Sequence, residues 1–323
     1  MPSHIAPRPF PKCFDAYLRY AVQTKFDYFT SHGHAPPSVV LLVRLRPGVT
    51  IEKFEREFSS FSDMVIGPTK FATGRIQKKQ DFLTVRGPLK MVALATWADW
   101  EALAWWVTLS MPIVSTGIIT PERIDDERAL SESNTVIAVI DDGCPFASAR
   151  LRADAINTNS RVFAIWDQNN RAPVQVGASE FGRRLKDFAY GVEFRRTSTP
   201  GVGPDKPMIG IDDWISMHLT PAGQVDEQWC YGHAEFESLR ASRSHGAHVL
   251  DTLAGSLPTS SGLSFDPKKP PTFKKANDKA SKSDVVFVQI PREAVEDPTG
   301  GWLDVQVTDA LYFIMSCVDP GKT

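Results

Sequence analysis

The chain lacks any long hydrophobic run. None of its 323 residues lies in an apolar stretch of the roughly 18 residues that indicate a transmembrane helix. Residues 1–9 also lack the basic start and the apolar segment of a signal peptide. The sequence therefore predicts no membrane partner and a cytoplasmic location.

An excess of charge is missing as well. The 36 basic residues nearly balance the 38 acidic residues, which leaves a formal net charge of −2. Proteins that are drawn to nucleic acid or to anionic membranes over long range carry a marked basic excess. The charge balance therefore predicts no nucleic-acid partner.

Cysteine is scarce and scattered. The four cysteines are Cys13, Cys144, Cys230 and Cys317, whereas small secreted folds held by disulfides carry their cysteines densely. We expect free thiols. The hydrophobic content of 42% is sufficient for a substantial core and about two domains.

What the sequence does contain is an apolar run that ends in acid and glycine. Residues 135–140 read Thr-Val-Ile-Ala-Val-Ile, and Asp141, Asp142 and Gly143 follow. A β-branched run of this kind is typical of a buried parallel strand, and open α/β sheets place their chemistry at the carboxyl ends of such strands. We expect Asp141 at a functional site, although an isolated Asp-Asp-Gly is also compatible with an ordinary turn.

A second motif follows at residues 244–249, which read Ser-His-Gly-Ala-His-Val. It predicts the start of a helix that Ser244 caps. His245, in the first turn of that helix, is a candidate general base. We interpret His248 as a packing residue of the same helix.

In this order the two motifs resemble those of the subtilisin-like serine proteases, or subtilases, whose triad runs Asp, His, Ser along the chain. The resemblance implies that Asp141 orients the imidazole of His245 and that His245 takes the proton from a serine hydroxyl. It further implies peptide-bond hydrolysis of a protein or peptide substrate, with no cofactor and no metal.

The serine segment of the family is missing from the sequence. The family's nucleophile lies in a Gly-Thr-Ser-x-Ala type of segment downstream of the histidine, and residues 246–323 contain none. The serines in that part are Ser256, Ser260, Ser261, Ser264, Ser281, Ser283 and Ser316. We therefore identify no nucleophile and predict no turnover by this chain alone. A truncated reading frame, completion by another polypeptide and a function without catalysis all stay open.

The resemblance also implies the fold class. We expect an α/β protein whose residues 134–323 form a partial catalytic domain with an incomplete, doubly wound parallel sheet of subtilisin type. The apolar patterns predict strands at 135–140, 161–168 and 284–290 and a helix at 305–316. Val307, Ala310, Leu311 and Ile314 follow helical spacing, so we expect this segment to need a further strand to cover it, and the sequence shows no such strand.

Residues 38–120 predict a small α+β domain. The predicted elements are strand 39–45, helix 50–61, strands 64–66 and 89–95, helix 99–109 and strand 113–119. This βαββαβ order is that of a ferredoxin-like domain, and subtilase prodomains are similar in shape and position. An unrelated binding domain is the alternative. Residues 1–37, with a short helix at 14–29, are predicted as an extension and linker, and the charged residues 121–133 as a linker between the domains.

Four tryptophans, Trp97, Trp100, Trp105 and Trp106, lie on or beside the predicted helix 99–109. A ligand site is one interpretation of so many indoles. Core packing is preferred, because a helix on a sheet buries one face and at least one indole is then left exposed. An exposed indole would suit docking on a protease domain. The alternative function is a non-catalytic binding protein whose tryptophan-bearing N-terminal domain recognises a partner.

Two other kinds of site are compatible with the sequence. Cys144, beside the Asp motif, suggests a Cys–His nucleophile. Cys230, His233, His245 and His248 have the approximate spacing of four zinc ligands. The subtilase interpretation is preferred over both, because no oxyanion donor accompanies Cys144 and the second zinc pair is spaced more tightly than usual.

Overall fold

The computed structural model describes residues 9–26, 38–67, 82–110, 131, 133–153, 158–169, 171–185, 188, 190–201, 205–241, 244–258, 273–274, 279–295 and 303–318. Helices and several sheets are formed by these residues, so the predicted α/β class is confirmed. The chain divides into two units. Unit 1 is Met1–Arg123 with Asp297–Asp309, and unit 2 is Ile124–Glu296 with Ala310–Thr323.

Unit 1 is built on a four-stranded antiparallel sheet. Its elements are α1 (Ala16–Gln23), β1 (Ser38–Leu45), α2 (Ile51–Glu57), β2 (Val65–Ile66), β3 (Phe82–Pro88), α3 (Trp97–Leu103) and β4 (Ala104–Ser110). The strand order is β2-β3-β1-β4, and every neighbouring pair is antiparallel. Because β1 has a neighbour on each side, its apolar run is buried from Val39 to Val43.

Several predicted elements of unit 1 are confirmed. The strand predicted at 39–45 is β1. The helix predicted to begin at Thr50 is α2, and the Thr50 hydroxyl accepts a hydrogen bond from the backbone N–H of Lys53 (3.3 Å), as an N-cap does.

Two predicted elements of unit 1 are wrong. Residues 89–95 form two short 3-10 turns, Leu89–Val92 and Leu94–Thr96, and the strand β3 lies before them. The helix predicted at 99–109 ends at Leu103, because the next residues, rich in aromatic and β-branched side chains, pair with β1 as β4. The strand predicted at 113–119 lies outside the described residues.

Part of the predicted extension 1–37 contributes to the core of unit 1. Phe14 and Leu18 are buried with Trp100 in one cluster, and the backbone N–H of Asp15 donates to the carbonyl of Val107 (3.0 Å). The helix predicted at 14–29 is the shorter α1. Residues 27–37, which include the end of the predicted helix 14–29 and the predicted linker after it, lie outside the described residues, as do residues 121–130 of the predicted charged linker.

Unit 2 contains a five-stranded main sheet, with parallel and antiparallel pairs, and two smaller sheets. The strands of the whole unit are β5 (Val136–Asp141), β6 (Val162–Asp167), β7 (Val174–Val176), β8 (Ser179–Phe181), β9 (Arg183–Arg184), β10 (Val192–Arg195), β11 (Met208–Ile209), β12 (Leu257–Pro258), β13 (Phe273–Lys274) and β14 (Asp284–Gln289). Its helices are α4 (Ile211–Ser216), α5 (Glu227–His233), α6 (Glu237–Arg240), α7 (His245–Ala254), α8 (Arg292–Val295) and the second half of α9 (Leu303–Ser316). The order of the main sheet is β5-β14-β6-β10-β9.

The parallel part of this sheet is made by the three strands that the sequence predicts. β14 lies between β5 and β6 and is parallel to both, whereas β10 is antiparallel to β6. Trp166 is in register with Val288, so it points to the face opposite to Phe287. The backbone of α7 at Gly246 lies against Phe287, and Phe313 of α9 packs on Trp166 with the ring centroids 5.4 Å apart. Helices therefore cover both faces of the parallel strands.

β5 differs from its prediction in burial. Its parallel pairing is confirmed, but among the described residues it pairs with β14 alone and forms the edge of the sheet. Val139 is its one buried residue, and Ala138 is exposed. The β-branched run predicted a strand buried on both faces, and that prediction is wrong for a strand with a single neighbour.

The apolar face predicted for the C-terminal helix is buried only in part. The helix itself is confirmed as α9, and Ala310 on the predicted face is fully buried, but Leu311 on the same face is 51% exposed. The buried residues of α9 include Asp309, which accepts a hydrogen bond from the hydroxyl of Thr84 (2.8 Å) and an ion pair from Arg86 (3.3 Å). A carboxylate can be buried when it has such partners. The positions of the apolar residues of α9 therefore do not by themselves indicate which side of the helix is buried. No helix in the described ranges is both long and apolar enough to cross a bilayer.

Candidate active site

Asp141 is the last residue of β5, at the carboxyl end of the parallel strands. Its carbonyl accepts a hydrogen bond from the N–H of Ile290, just after β14 (2.9 Å), so the ladder extends to the end of the strand. Its carboxylate accepts a hydrogen bond from the N–H of Asp142 (2.8 Å) and is 17% exposed. The carboxylate is therefore held by the backbone and is largely removed from solvent.

His245 begins α7, as the sequence predicts. Ser244 is the N-cap, and its hydroxyl accepts a hydrogen bond from the N–H of Ala247 (2.9 Å). The imidazole Nδ1 of His245 lies 2.9 Å and 3.1 Å from the two carboxylate oxygens of Asp141. The two residues that the motifs single out are thus brought into direct contact, although 104 positions separate them in the chain.

Gly246 permits the close approach of α7 to the sheet. A Cβ at this position would lie 2.8 Å from the Cβ of Asp141 and 2.9 Å from the ring of Phe287, distances that real side chains essentially never adopt. The small residue beside the histidine is therefore required for the contact between the imidazole and the carboxylate.

The pair has the arrangement of a general base and its orienting acid. With Nδ1 directed at a carboxylate, the neutral imidazole carries its proton on Nδ1, and Nε2 is left as the acceptor. The His245 side chain is 75% exposed, so a reacting group has access to Nε2.

No serine nucleophile accompanies this pair in the described part of the chain. Ser256, Ser281 and Ser283 are buried, and the hydroxyl of Ser316 donates to the carbonyl of Phe313. Among the described residues, no serine hydroxyl forms a hydrogen bond with His245. Residues 260, 261 and 264 lie outside the described ranges.

The cysteine alternative is not supported. Cys144 is fully buried, and burial raises the pKa of its thiol well above the usual value. A thiol of this kind stays protonated at neutral pH and is a poor nucleophile. Tyr231 lies nearby, and burial raises the pKa of its hydroxyl as well. Cys144 therefore belongs to the core of unit 2.

The zinc alternative is not supported by the described residues either. Cys230, His233, His245 and His248 are all described, yet no group of three or more candidate ligands converges within the described residues. Nδ1 of His233 contacts the carbonyl of Trp229 (3.1 Å) in its own helix, and Nδ1 of His245 is occupied by Asp141. Cys230 is buried, and burial raises the pKa of its thiol to about 12.

Asp142 is a contributor that the motif analysis missed. One oxygen of its carboxylate accepts hydrogen bonds from the N–H of Gly246 (2.8 Å) and from the hydroxyl of Ser244 (3.0 Å). These are the two chain neighbours of His245. The sequence does show a second acid in the Asp-Asp-Gly motif. It does not show that the side chain of this acid contacts the start of α7.

No protein-family model matches the chain, and a comparison with curated proteins found no relative. The functional argument therefore rests on the geometry of Asp141 and His245.

Proposed function

We propose that this chain carries the acid–base half of a subtilisin-like serine endopeptidase and that it has no turnover by itself. The observation that carries the proposal is the contact of 2.9 Å between Asp141 at a strand end and His245 at a helix start. An acid at a strand end and a histidine at a helix start support the resemblance that the motifs carry, and the His245 side chain, which is 75% exposed, is accessible to a nucleophile.

The chemistry of the pair follows from its geometry. His245 takes the proton from a serine hydroxyl at Nε2 as the oxygen attacks the peptide carbonyl, and it returns the proton to the leaving amine. Asp141 keeps the imidazole in the Nδ1–H tautomer and stabilises the positive charge that develops. The serine is the part that the described residues do not supply.

The finer fold is part of the same proposal. In unit 1 the order β2-β3-β1-β4, antiparallel throughout, with α2 and α3 between strands, supports a ferredoxin-like, prodomain-like domain. In unit 2 three parallel strands with helices on both faces support a doubly wound sheet of subtilisin type. An apolar edge strand carrying the candidate acid supports an incomplete version of that sheet. Protein or peptide substrates and a cytoplasmic location are predictions of the same kind.

Labelling with a fluorophosphonate probe tests the proposal, because the probe reacts with serines that a base activates. The purified chain is expected to give no labelled serine. Labelling of a serine within residues 246–323 would contradict the absence of a nucleophile.

A second arm of this test concerns the missing part. The coding sequence after the codon for Thr323 is searched in three frames for a Gly-Thr-Ser-x-Ala segment, and the segment is co-expressed if found. Labelling of its serine is expected, with loss in Asp141→Ala and His245→Ala. His248→Ala is the matched control, because His248 is exposed on the same helix, and it should retain labelling.

A non-catalytic binding protein is the second candidate, and Trp105 favours it. Trp97 and Trp100 are buried as core residues, as predicted, whereas Trp105 is 59% exposed with the guanidinium of Arg46 over its ring at 5.7 Å. Exposed tryptophan and arginine are typical of interface hot spots. A stable monomer in sedimentation velocity, together with no serine segment in the coding sequence, would favour binding over catalysis.

A further inference from the structure

The inference concerns the second carboxylate of the Asp-Asp-Gly motif and rests on the proposed function. Asp141 and Asp142 are adjacent in the chain, yet their side chains have different partners. Asp141 contacts the imidazole of His245, whereas Asp142 contacts the backbone and the cap of the helix that carries it. Asp141 therefore contacts the histidine directly, whereas Asp142 contacts the two residues that flank it in the chain.

The partners of Asp142 bracket His245. A single oxygen accepts from the hydroxyl of Ser244, the preceding residue, and from the N–H of Gly246, the following residue. The N–H groups of a helix's first turn have no partner within the helix, and a carboxylate near that end is also favoured by the helix dipole. Asp142 thus fixes the first turn of α7 to the end of β5.

This anchor matters because the histidine side chain has little packing of its own. With 75% of the His245 side chain exposed, surrounding side chains place few restraints on the ring. Its position against Asp141 therefore depends on where the backbone of α7 begins, and that backbone is what Asp142 holds.

Asp142 is itself held firmly. Its N–H donates to the carboxylate of Asp141 (2.8 Å), and its carbonyl accepts from the hydroxyl of Ser238 (2.8 Å). A Cβ on the following residue, Gly143, would lie 2.6 Å from the hydroxyl oxygen of Ser244 and 2.7 Å from that of Ser238. The end of β5 and the start of α7 are therefore in close contact on both sides of Asp142.

We propose that Asp142 is a positioning residue, which holds the first turn of α7 so that the imidazole of His245 meets Asp141 in the Nδ1–H tautomer. Its acceptor oxygen carries this role, and its charge is secondary. The prediction is that removal of the acceptor releases the histidine from its tautomer while the fold of unit 2 persists.

The experiment uses the full chain with ¹⁵N-labelled histidine, and long-range ¹H–¹⁵N correlation spectra at neutral pH report the tautomer of each ring. His245→Gln assigns the His245 signals among the seven histidines. In the unsubstituted chain His245 is expected as the Nδ1–H tautomer. Asp142→Ala should lose that pattern in favour of the Nε2–H form that exposed histidines prefer, whereas Asp142→Asn, whose amide oxygen still accepts, should retain it.

Two further variants separate positioning from a general effect on folding. Asp142→Glu keeps the charge but displaces the oxygens by one methylene, so loss of the Nδ1–H pattern is expected with unchanged near-UV circular dichroism. Asp226→Ala is the matched control, because Asp226 caps α5 in the same unit through the N–H of Trp229 (2.9 Å), and it should leave His245 unchanged.

The proposal is overturned if Asp142→Ala or Asp142→Glu folds and keeps the Nδ1–H pattern, or if Asp142→Asn loses it. The readout needs neither a nucleophile nor a substrate. Its failure would leave the proposed protease function standing, and failure of the labelling test would leave the positioning role intact.

Discussion

β1 of unit 1 and β5 of unit 2 have nearly the same kind of sequence but different surroundings. Both are short runs dominated by aliphatic side chains, Ser38–Leu45 and Val136–Asp141. β1 pairs with β3 and β4 and is buried over most of its length. β5 pairs with β14 alone among the described residues, and most of its side chains are partly or fully exposed.

The difference teaches that an apolar run specifies a strand but does not specify its neighbours. Backbone N–H and C=O groups on an edge are open to pairing with a further strand. An edge strand that is apolar throughout is unusual in a parallel sheet, whose strands are normally covered on both faces. The candidate acid Asp141 lies at the end of this edge strand, so the site is carried by an edge of the sheet.

The largest effect is expected from a charge introduced into the two strands. Val40→Lys places an ammonium group in a fully buried position of β1 and should cost more than about 4 kcal/mol of unfolding free energy, because a buried unpaired charge is strongly unfavourable. Ala138→Lys lies at an exposed position of β5 and should cost less than about 0.5 kcal/mol. Urea unfolding followed by hydrogen exchange of peptides from each strand measures both. Equal losses would show that β5 has a covering neighbour in solution.

A smaller contrast is expected from cavity-forming substitutions. Leu41→Ala removes a fully buried side chain of β1 and should cost about 3 kcal/mol, from lost apolar burial and the cavity that remains. Ile140→Ala in β5 removes a half-buried side chain and should cost about 1 kcal/mol, since less surface is lost. Urea midpoints at constant slope give both values. A loss at Ile140 as large as that at Leu41 would contradict the edge position of β5.

The pH dependence of unit 2 supplies a third test. Burial raises the pKa of Asp212 from 3.8 to about 6, although the N–H of Ser160 and the charge of Arg196 act to lower it. The native state therefore holds this proton more tightly than the unfolded chain. The resulting stability is complete below about pH 4 and is lost as the pH rises through 6.

We expect Asp212 to account for about 1–2 kcal/mol of this loss, less than the full linkage value because the carboxyl is partly exposed. Urea unfolding at several pH values should show a flatter profile for Asp212→Asn than for the unsubstituted chain, with hydrogen exchange of unit 1 peptides as the internal reference. Parallel profiles would mean that Asp212 titrates alike in both states. Burial also raises the pKa of Glu227. Glu227 therefore contributes to the pH dependence in the same direction in the unsubstituted chain and in Asp212→Asn.

The smallest expected effect concerns helix caps, which do not depend on neighbouring strands. Thr50 caps α2 of unit 1 and Asp226 caps α5 of unit 2, each by accepting one first-turn N–H. Replacement of either by alanine should cost about 1 kcal/mol, as measured by urea unfolding, and Thr50→Ser should recover most of the loss. If the unfolding free energy lost in one unit were more than about twice that lost in the other, the contribution of these caps would also depend on their surroundings.

Local signals predicted the elements whose character is decided within a few residues. β6 and β14 were predictable from short β-branched runs, and α2 and α7 from a capping hydroxyl before a helical pattern. Residues 104–109 were misassigned to a helix, because Trp100, Leu103 and Val107 follow helical spacing. Pairing with β1 decides the outcome, and that pairing joins residues from 59 (Leu45 and Ala104) to 70 (Val40 and Ser110) positions apart.

The sequence predicted the two residues of the candidate site but not the contacts that hold them in place. Asp141 and His245 were identified from their motifs, and their contact confirms that the two motifs meet in space. The anchoring of Ser244 and Gly246 by Asp142 was not visible, because a carboxylate next to a catalytic candidate has many available partners. The zinc interpretation failed for the related reason that spacing along the chain does not tell which side chains converge.

The sequence by itself determined the α/β class, the three parallel strands of unit 2 and the two motif residues whose side chains meet, Asp141 and His245, because periodicity, caps and strand-end motifs are local properties. Only the tertiary structure decided that β5 is an edge strand, that α9 buries the side with Asp309, and that Asp142 holds the start of α7. These outcomes depend on contacts between distant segments, where burial and hydrogen bonding are satisfied by whichever partners the fold brings together.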